Sequence, residues 1–366
     1  MPRILLIGPS GLDGPSDDAS VTAVRRALPS WELAVLPHHA PGRRIDGVHC
    51  LDSHDLARAL RAIRSADITL VTGRVQERHR RRLLRLVTTA GTTLGGKSRL
   101  ACLGIRVTDG PAGIEQPRLV RSLLRHSELT ILRDEHSATT LLTVGVRPPF
   151  RVGTHLAWGA VEPVAQRSRP DGRVLVVVSC APGTRTGLDR AATLVHEARA
   201  AGLEPVLLPW QAGADRRTAS ELAASLPARM TEPPSSLEQL DATTRDASLL
   251  VSPKPLPVVV AASVGVPCIA LAGDPETREI ADRLQQPVLP TAVEPDETAR
   301  ALTAALHHGM PAAVVRAESA TAAEMLRLLR LLIEGGREEL NGISGLRLTP
   351  DPSHPSPVPH EVPPSP

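Results

Sequence analysis

The strongest constraint on how this chain folds is a set of short, continuous apolar runs, each followed by a small or polar loop and then a helical stretch. Arg3–Ile7 enters the loop Gly8–Asp18 and helical Ala19–Leu28; far downstream, Val174–Val178 enters Cys180–Gly187 and helical Leu188–Ala201. Apolar runs this short read as strands buried on both faces, the habit of parallel sheets covered by helices. In the first half, further strands are predicted at Glu32–Leu36, Ile68–Val71, Ala101–Ile105 and Glu128–Leu132. Helices are predicted there at His54–Arg64, Gln76–Thr89, Gln116–Arg125 and Asp134–Val144. The second half alternates more cleanly. Its strands fall at Pro205–Leu208, Ser248–Val251, Cys268–Leu271 and Val288–Leu289, and its helices at Ala214–Leu226, Pro257–Val264, Glu276–Leu284 and Asp296–Leu306. This is the pattern of βαβ units. The fold class expected is therefore α/β: two Rossmann-like, doubly wound parallel-sheet domains with a cleft outside the carboxyl ends of their strands.

Residues 1–166 and 172–340 form the two expected domains, divided at the polar stretch Arg167–Gly172; the apolar-striped helix 321–334 closes the second. The chain length of 366 residues agrees, because single cores rarely grow beyond about 250–300 residues. Residues 345–366 are expected to be a disordered Pro-rich tail, since eight prolines fall within the 17 residues from Pro350 to Pro366 with little apolar surface to bury.

Function classes can be excluded from composition. Trp31, Trp158, Trp210 and Phe150 are the only aromatic residues, too few for the stacking platforms that single-stranded nucleic acid requires. The basic cluster Arg78, Arg80, Arg81, Arg82 and Arg85 reads as one exposed helix face rather than a nucleic-acid footprint. Charge is split between the halves: residues 1–165 hold 23 Lys and Arg against 15 Asp and Glu, while residues 166–366 hold 19 against 24. Such halves could attract each other across a cleft, or the basic one could draw an anionic ligand. Cys50, Cys102, Cys180 and Cys268 show no metal or redox spacing and read as reduced thiols. No run is long enough to span a membrane, so a cytoplasmic protein is expected.

Two loops could carry chemistry. Ser179–Gly187 lies between a buried strand and a helix, where free backbone N–H groups, the helix end and Arg185 could hold a phosphate or carboxylate; an ordinary strand-to-helix turn is the alternative. Ser252–Pro257 occupies the same position one unit later and contains Lys254, one of two lysines in the chain; a rigid connector is the alternative there. Neither loop is a P-loop, and no GxGxxG, HExxH or GxSxG motif occurs, so nicotinamide, metal-hydrolase and triad readings lapse. The pairs His38-His39 and His307-His308 read as solvated side chains.

Leu129–Ser137, with Arg133-Asp134 and Ser137, followed by Leu141–Val146, resembles the polysaccharide pyruvyl transferase family; Ala261–Leu271, with its Gly265-Val266-Pro267, and Asp274-Pro275-Glu276 continue the likeness. The resemblance implies a glycosyltransferase-B-like pair of domains. It also implies transfer of a pyruvyl group from phosphoenolpyruvate to a glycan or lipid-linked sugar of the cell surface, without a cofactor. It implies that Lys254 is catalytic and that Ser179, Gly183, Thr184, Arg185, Lys254 and Asp274 bind substrate. Arg133 and Asp134 would form a structural ion pair at a helix start, and the basic N-terminal domain would hold the acceptor. The chain departs from the family pattern at Ala181, Leu256 and Glu276, where the family places arginine, histidine and lysine. Leucine for histidine removes a general acid, and glutamate for lysine inverts a charge. A degenerate member that binds without chemistry, and a nucleotide-sugar transferase of the same architecture using Asp274 and Glu276, are the alternatives. Oligomeric state is left open.

Overall fold

The structure is a computed structural model that describes residues 3–8, 14–37, 48–52, 55–74, 98–108, 117–147, 149–163, 171–179, 185–290 and 294–335, with backbone alone at 17, 56, 117 and 185–188. The expected helix Gln76–Thr89 with its arginine cluster, and the tail 345–366, lie outside the described residues.

The first sheet contains β1 (Arg3–Ile7), β2 (Glu32–Leu36), β3 (His49–Cys50), β4 (Ile68–Arg74), β5 (Arg99–Arg106), β6 (Leu129–Leu132) and β7 (Arg151–Val152), in the spatial order β3-β2-β1-β4-β5-β6-β7. The second contains β8 (Arg173–Val178), β9 (Glu204–Pro209), β10 (Arg229–Met230), β11 (Leu249–Ser252), β12 (Cys268–Leu271) and β13 (Val288–Leu289), in the order β10-β9-β8-β11-β12-β13. Every pairing is parallel. Each order reverses once, between β1 and β4 and between β8 and β11, and in open parallel sheets ligands bind beside such reversals at the carboxyl ends of the strands. Gly8 ends β1 at the first reversal. Its φ is 156°, and a Cβ there would sit 2.4 Å from Thr72 Oγ1. Only glycine lets the chain pass β4 so closely.

The helices are α1 (Pro15–Ala27), α2 (Leu56–Ser65), α3 (Pro117–His126), α4 (Glu135–Thr143), α5 (Arg185–Ala200), α6 (Ala214–Ser225), α7 (Leu237–Arg245), α8 (Pro255–Ser263), α9 (Pro275–Arg283), α10 (Pro295–His308) and α11 (Ala312–Glu334), with a 3₁₀ turn at Leu156–Gly159. Sequence periodicity located most of these to within a few residues. It missed α7, the 3₁₀ turn and the two-residue strands β3, β7 and β10, which are too short to show a period.

Three apolar cores result. The outer face of each sheet has its own, one around Leu5, Leu36, Cys102 and Leu123, the other around Val176, Leu194, Leu207 and Leu302. The inner faces share a third, which runs from Ile4, Leu70 and Leu103 through Leu156 and Trp158 to Leu175, Leu250 and Leu256. Trp158 and Trp210 are buried in this shared core. Helix α11 contributes Met325, Leu326, Leu328 and Leu329 to the same core and packs on α1, β6 and the 3₁₀ turn. Asp18 on α1 accepts a hydrogen bond from Leu237 N at the start of α7 at 3.0 Å, a further link between the two halves. Among the described residues, no helix is long and apolar enough to cross a membrane.

Candidate functional site at the domain junction

Three neighbouring strands of the first sheet end in arginine. Arg74 closes β4, Arg106 closes β5, and Arg133 follows β6. The register of β4 against β5 slips between Val71 and Gly73, and that of β5 against β6 between Leu103 and Ile105. Gly104 is the unpaired residue of β5 at the slips and Gly73 follows the slip on β4, with φ of 59° and 75°. Bulges re-aim the residues beyond them, and here they precede Arg74 and Arg106. At Gly104 the absence of a side chain also admits Leu156, whose Cγ would lie 3.0 Å from a Cβ.

The arginines meet the first turn of α9 across the junction. Glu276, 2% exposed, receives Arg133 Nη1 on Oε1 at 2.8 Å, while Arg106 Nη1 lies 2.6 Å and Arg74 Nη2 3.6 Å from Oε2. Asp274 takes Arg74 Nη2 on Oδ2 at 2.5 Å, and its Oδ1 caps α9 by accepting from Glu276 N at 3.0 Å. Burial pushes the Glu276 carboxyl up, yet Arg133 and Arg106 outweigh that and hold it down at about 2. The basic and acidic halves therefore do attract each other, through these few side chains.

Asp134 caps α4: its Oδ1 accepts from Ser137 N at 2.7 Å and from Ser137 Oγ at 2.6 Å, while Oδ2 faces Arg106 Nε at 3.8 Å. Arg133 does not pair with Asp134 as the sequence suggested. Its Nε donates to Gly104 O at 3.1 Å and its Nη1 reaches into the other domain. His155, at the start of the 3₁₀ turn, accepts from Ala157 N on Nδ1 at 3.1 Å. Burial and then Arg133 lower its pKa to about 3, so the ring is neutral with its proton on Nε2. Glu279, one turn beyond Glu276, is pushed up to about 7 by burial and by Asp134. A carboxyl titrating near neutrality is suited to proton transfer.

The second region lies at the carboxyl end of β11. Ser252 Oγ accepts from Lys254 N at 2.9 Å and donates to Lys254 O at 3.0 Å, which shapes the entry to α8. Lys254 is the half-buried N-cap residue, followed by Pro255 at the first helical position. Its ammonium makes no ion pair among the described residues, and the residue stands at the positive end of the helix. Thr277 Oγ1 donates to Pro253 O at 3.2 Å, holding this loop beside the first turn of α9. Leu256, in the position of the family histidine, is buried in the shared core and supplies no polar atom.

The other residues singled out on sequence are distributed as follows. Ser179 is half-buried at the end of β8, the strand next to β11. Arg185 opens α5, but its side chain, with Ala181, Gly183 and Thr184, lies outside the described residues. Asp274 serves as a helix cap and ion-pair partner, and Glu276 is the centre of the junction. Arg74, Arg106, His155 and Glu279 were not anticipated from sequence. An arginine at a strand end was visible, but only pairing of the strands places three of them side by side.

No family model matches this chain, and no curated protein matches it. Solved structures do resemble it. S. aureus MnaA in a co-structure with UDP has 14% identity and a TM-score of 0.61, covering 96% of this chain and 99% of that one. UDP-GlcNAc 2-epimerase of Methanocaldococcus jannaschii in complex with UDP-GlcNAc and UDP has 14% identity and a TM-score of 0.58, covering 91% of this chain and 100% of that one. Sucrose-phosphate synthase of Thermosynechococcus elongatus has 16% identity and a TM-score of 0.54, over 93% and 98% of the two chains. At such identities the likeness speaks to the fold, a glycosyltransferase-B-like pair of Rossmann-type domains.

Proposed function

We propose that this chain is a nucleotide-sugar enzyme of glycosyltransferase-B architecture, with the donor diphosphate held by the second domain. The observation that carries this reading is Lys254: an ammonium with no ion pair among the described residues, at the positive end of α8 and the carboxyl end of β11, beside the strand-order reversal. A cation at a helix N-terminus is a fitting partner for a diphosphate. Ser179, at the end of the adjacent strand β8, would border the same anion. The binding of UDP or UDP-GlcNAc by structurally similar proteins supports the same choice of donor.

Phosphoenolpyruvate transfer, expected from the family resemblance, has less support. The position of its lysine is the buried Glu276, that of its histidine is the apolar Leu256, and the structural neighbours include a UDP-GlcNAc 2-epimerase. Binding without turnover is a second reading, favoured by the first turn of α8, where Leu256 and Pro257 are buried and Lys254 is the sole charge. Calorimetric titration with UDP, UDP-GlcNAc and phosphoenolpyruvate decides among these. Nucleotide binding that weakens tenfold or more in Lys254→Ala, about the value of one charge-assisted hydrogen bond, supports the proposal. Binding of phosphoenolpyruvate alone would replace it with pyruvyl transfer, and nucleotide-sugar binding with no turnover would leave the binding protein.

A further inference from the structure

The arginines of the first domain form a cradle that the second domain fills with its own carboxylates. Arg74, Arg106 and Arg133 come from three adjacent strand ends and converge on Glu276 and Asp274, which belong to a single turn of α9. The fit is imperfect. Arg106 is 1% exposed, yet among the described residues neither its Nε nor its Nη1 makes an aligned hydrogen bond, and Glu276 Oε2 and Asp134 Oδ2 also lack one. A guanidinium is a planar fork that matches a carboxylate or phosphate through two parallel bonds. Glu276 instead divides its two oxygens between two arginines, so neither fork is met. A buried guanidinium held by charge alone is poorly repaid for its desolvation, and a small planar or tetrahedral acid would satisfy it better.

We propose that this cradle is a binding site for an acidic group, carboxylate or phosphate, on the sugar that reacts with the donor, and that Asp274 and Glu276 occupy it until that group displaces them. The assignment of the acid to a reacting sugar rests on the nucleotide-sugar reading above; the cradle itself does not. Binding would separate the first turn of α9 from the strand ends, so the acid favours the open arrangement by its greater affinity for it.

The test uses the full chain titrated with glucuronate, glucose 6-phosphate and glucose, with and without saturating UDP. Asp274→Asn is the informative variant, because asparagine caps a helix as well as aspartate while removing one competing charge. It is expected to tighten an acidic sugar about tenfold, the worth of a charge-assisted bond, and leave glucose unchanged. Adding Arg74→Ala, at a side chain 40% exposed, is expected to cancel the gain. Tightening of glucuronate alone identifies a carboxylate, and of glucose 6-phosphate alone a phosphate. If neither acid binds better than glucose in Asp274→Asn while UDP still binds, the cradle proposal is overturned and the donor reading stands. If the acids bind and UDP does not, the cradle stands and the donor reading falls.

Discussion

Replacing Glu276 by glutamine keeps the shape of the side chain and removes only its charge, leaving Arg106 and Arg133 facing a neutral amide. The cost can be worked in two ways. The fall of the Glu276 pKa from 4.5 to about 2 corresponds, at roughly 1.4 kcal/mol per pKa unit, to about 3 kcal/mol of preference for the charged form in this setting. Removing one partner of a buried pair independently costs about 3–5 kcal/mol. Glu276→Gln is therefore expected to destabilise the protein by about 3 kcal/mol at pH 7, read as a shift of the urea transition followed by far-UV circular dichroism. The same linkage has a direction. Because the folded pKa lies below the unfolded one, this stability is present above pH 4.5 and is lost as pH falls toward about 2. In a double-mutant cycle with Arg133→Met, the two costs should not add, since the methionine removes the group that the glutamine leaves unpaired. A loss below about 1 kcal/mol, or strict additivity in the cycle, would refute the view that Glu276 is a buried counter-ion joining the two domains.

Glu279 should behave in the opposite sense. Its folded pKa of about 7 exceeds the unfolded 4.5, so its contribution is greatest below pH 4.5 and declines as pH rises to about 7; Glu279→Gln should flatten that part of the stability–pH curve. Trp158→Ala empties a large site in the core shared by both sheets and is expected to cost about 3–5 kcal/mol in the same urea assay; a change under 1 kcal/mol would show that the two halves do not share that core. Cys102 and Cys268 are buried, with thiols pushed up to about 12, so neither should be alkylated by iodoacetamide at pH 8 in the folded protein, whereas both should react once urea unfolds it; mass spectrometry reads the difference.

Strand and helix placement was largely legible before any coordinates, because it depends on neighbours along the chain. The run Val174–Val178 has to be a doubly buried strand wherever it lies, whereas α8 starts at Pro255, two residues ahead of the Pro257 read from sequence. The loop with Lys254 was legible for the same reason, since a residue between a strand and a helix falls at the carboxyl edge of a parallel sheet. The short strands were not, because two residues carry no period.

The junction belongs to a different class of information. Arg74 and Glu276 are separated by most of the chain, and nothing local distinguishes Glu276 from any other acidic residue in a first helical turn. Composition alone showed that one half is basic and the other acidic, and thus that the halves could attract. Which charges meet was decided by the strand order of the first sheet, which sets β4, β5 and β6 side by side, and by the register slips ahead of Arg74 and, at Gly104, ahead of Arg106. Burial then completed the assignment: at 2% exposure a glutamate stays ionised only where cations surround it, and only the tertiary structure brings them there.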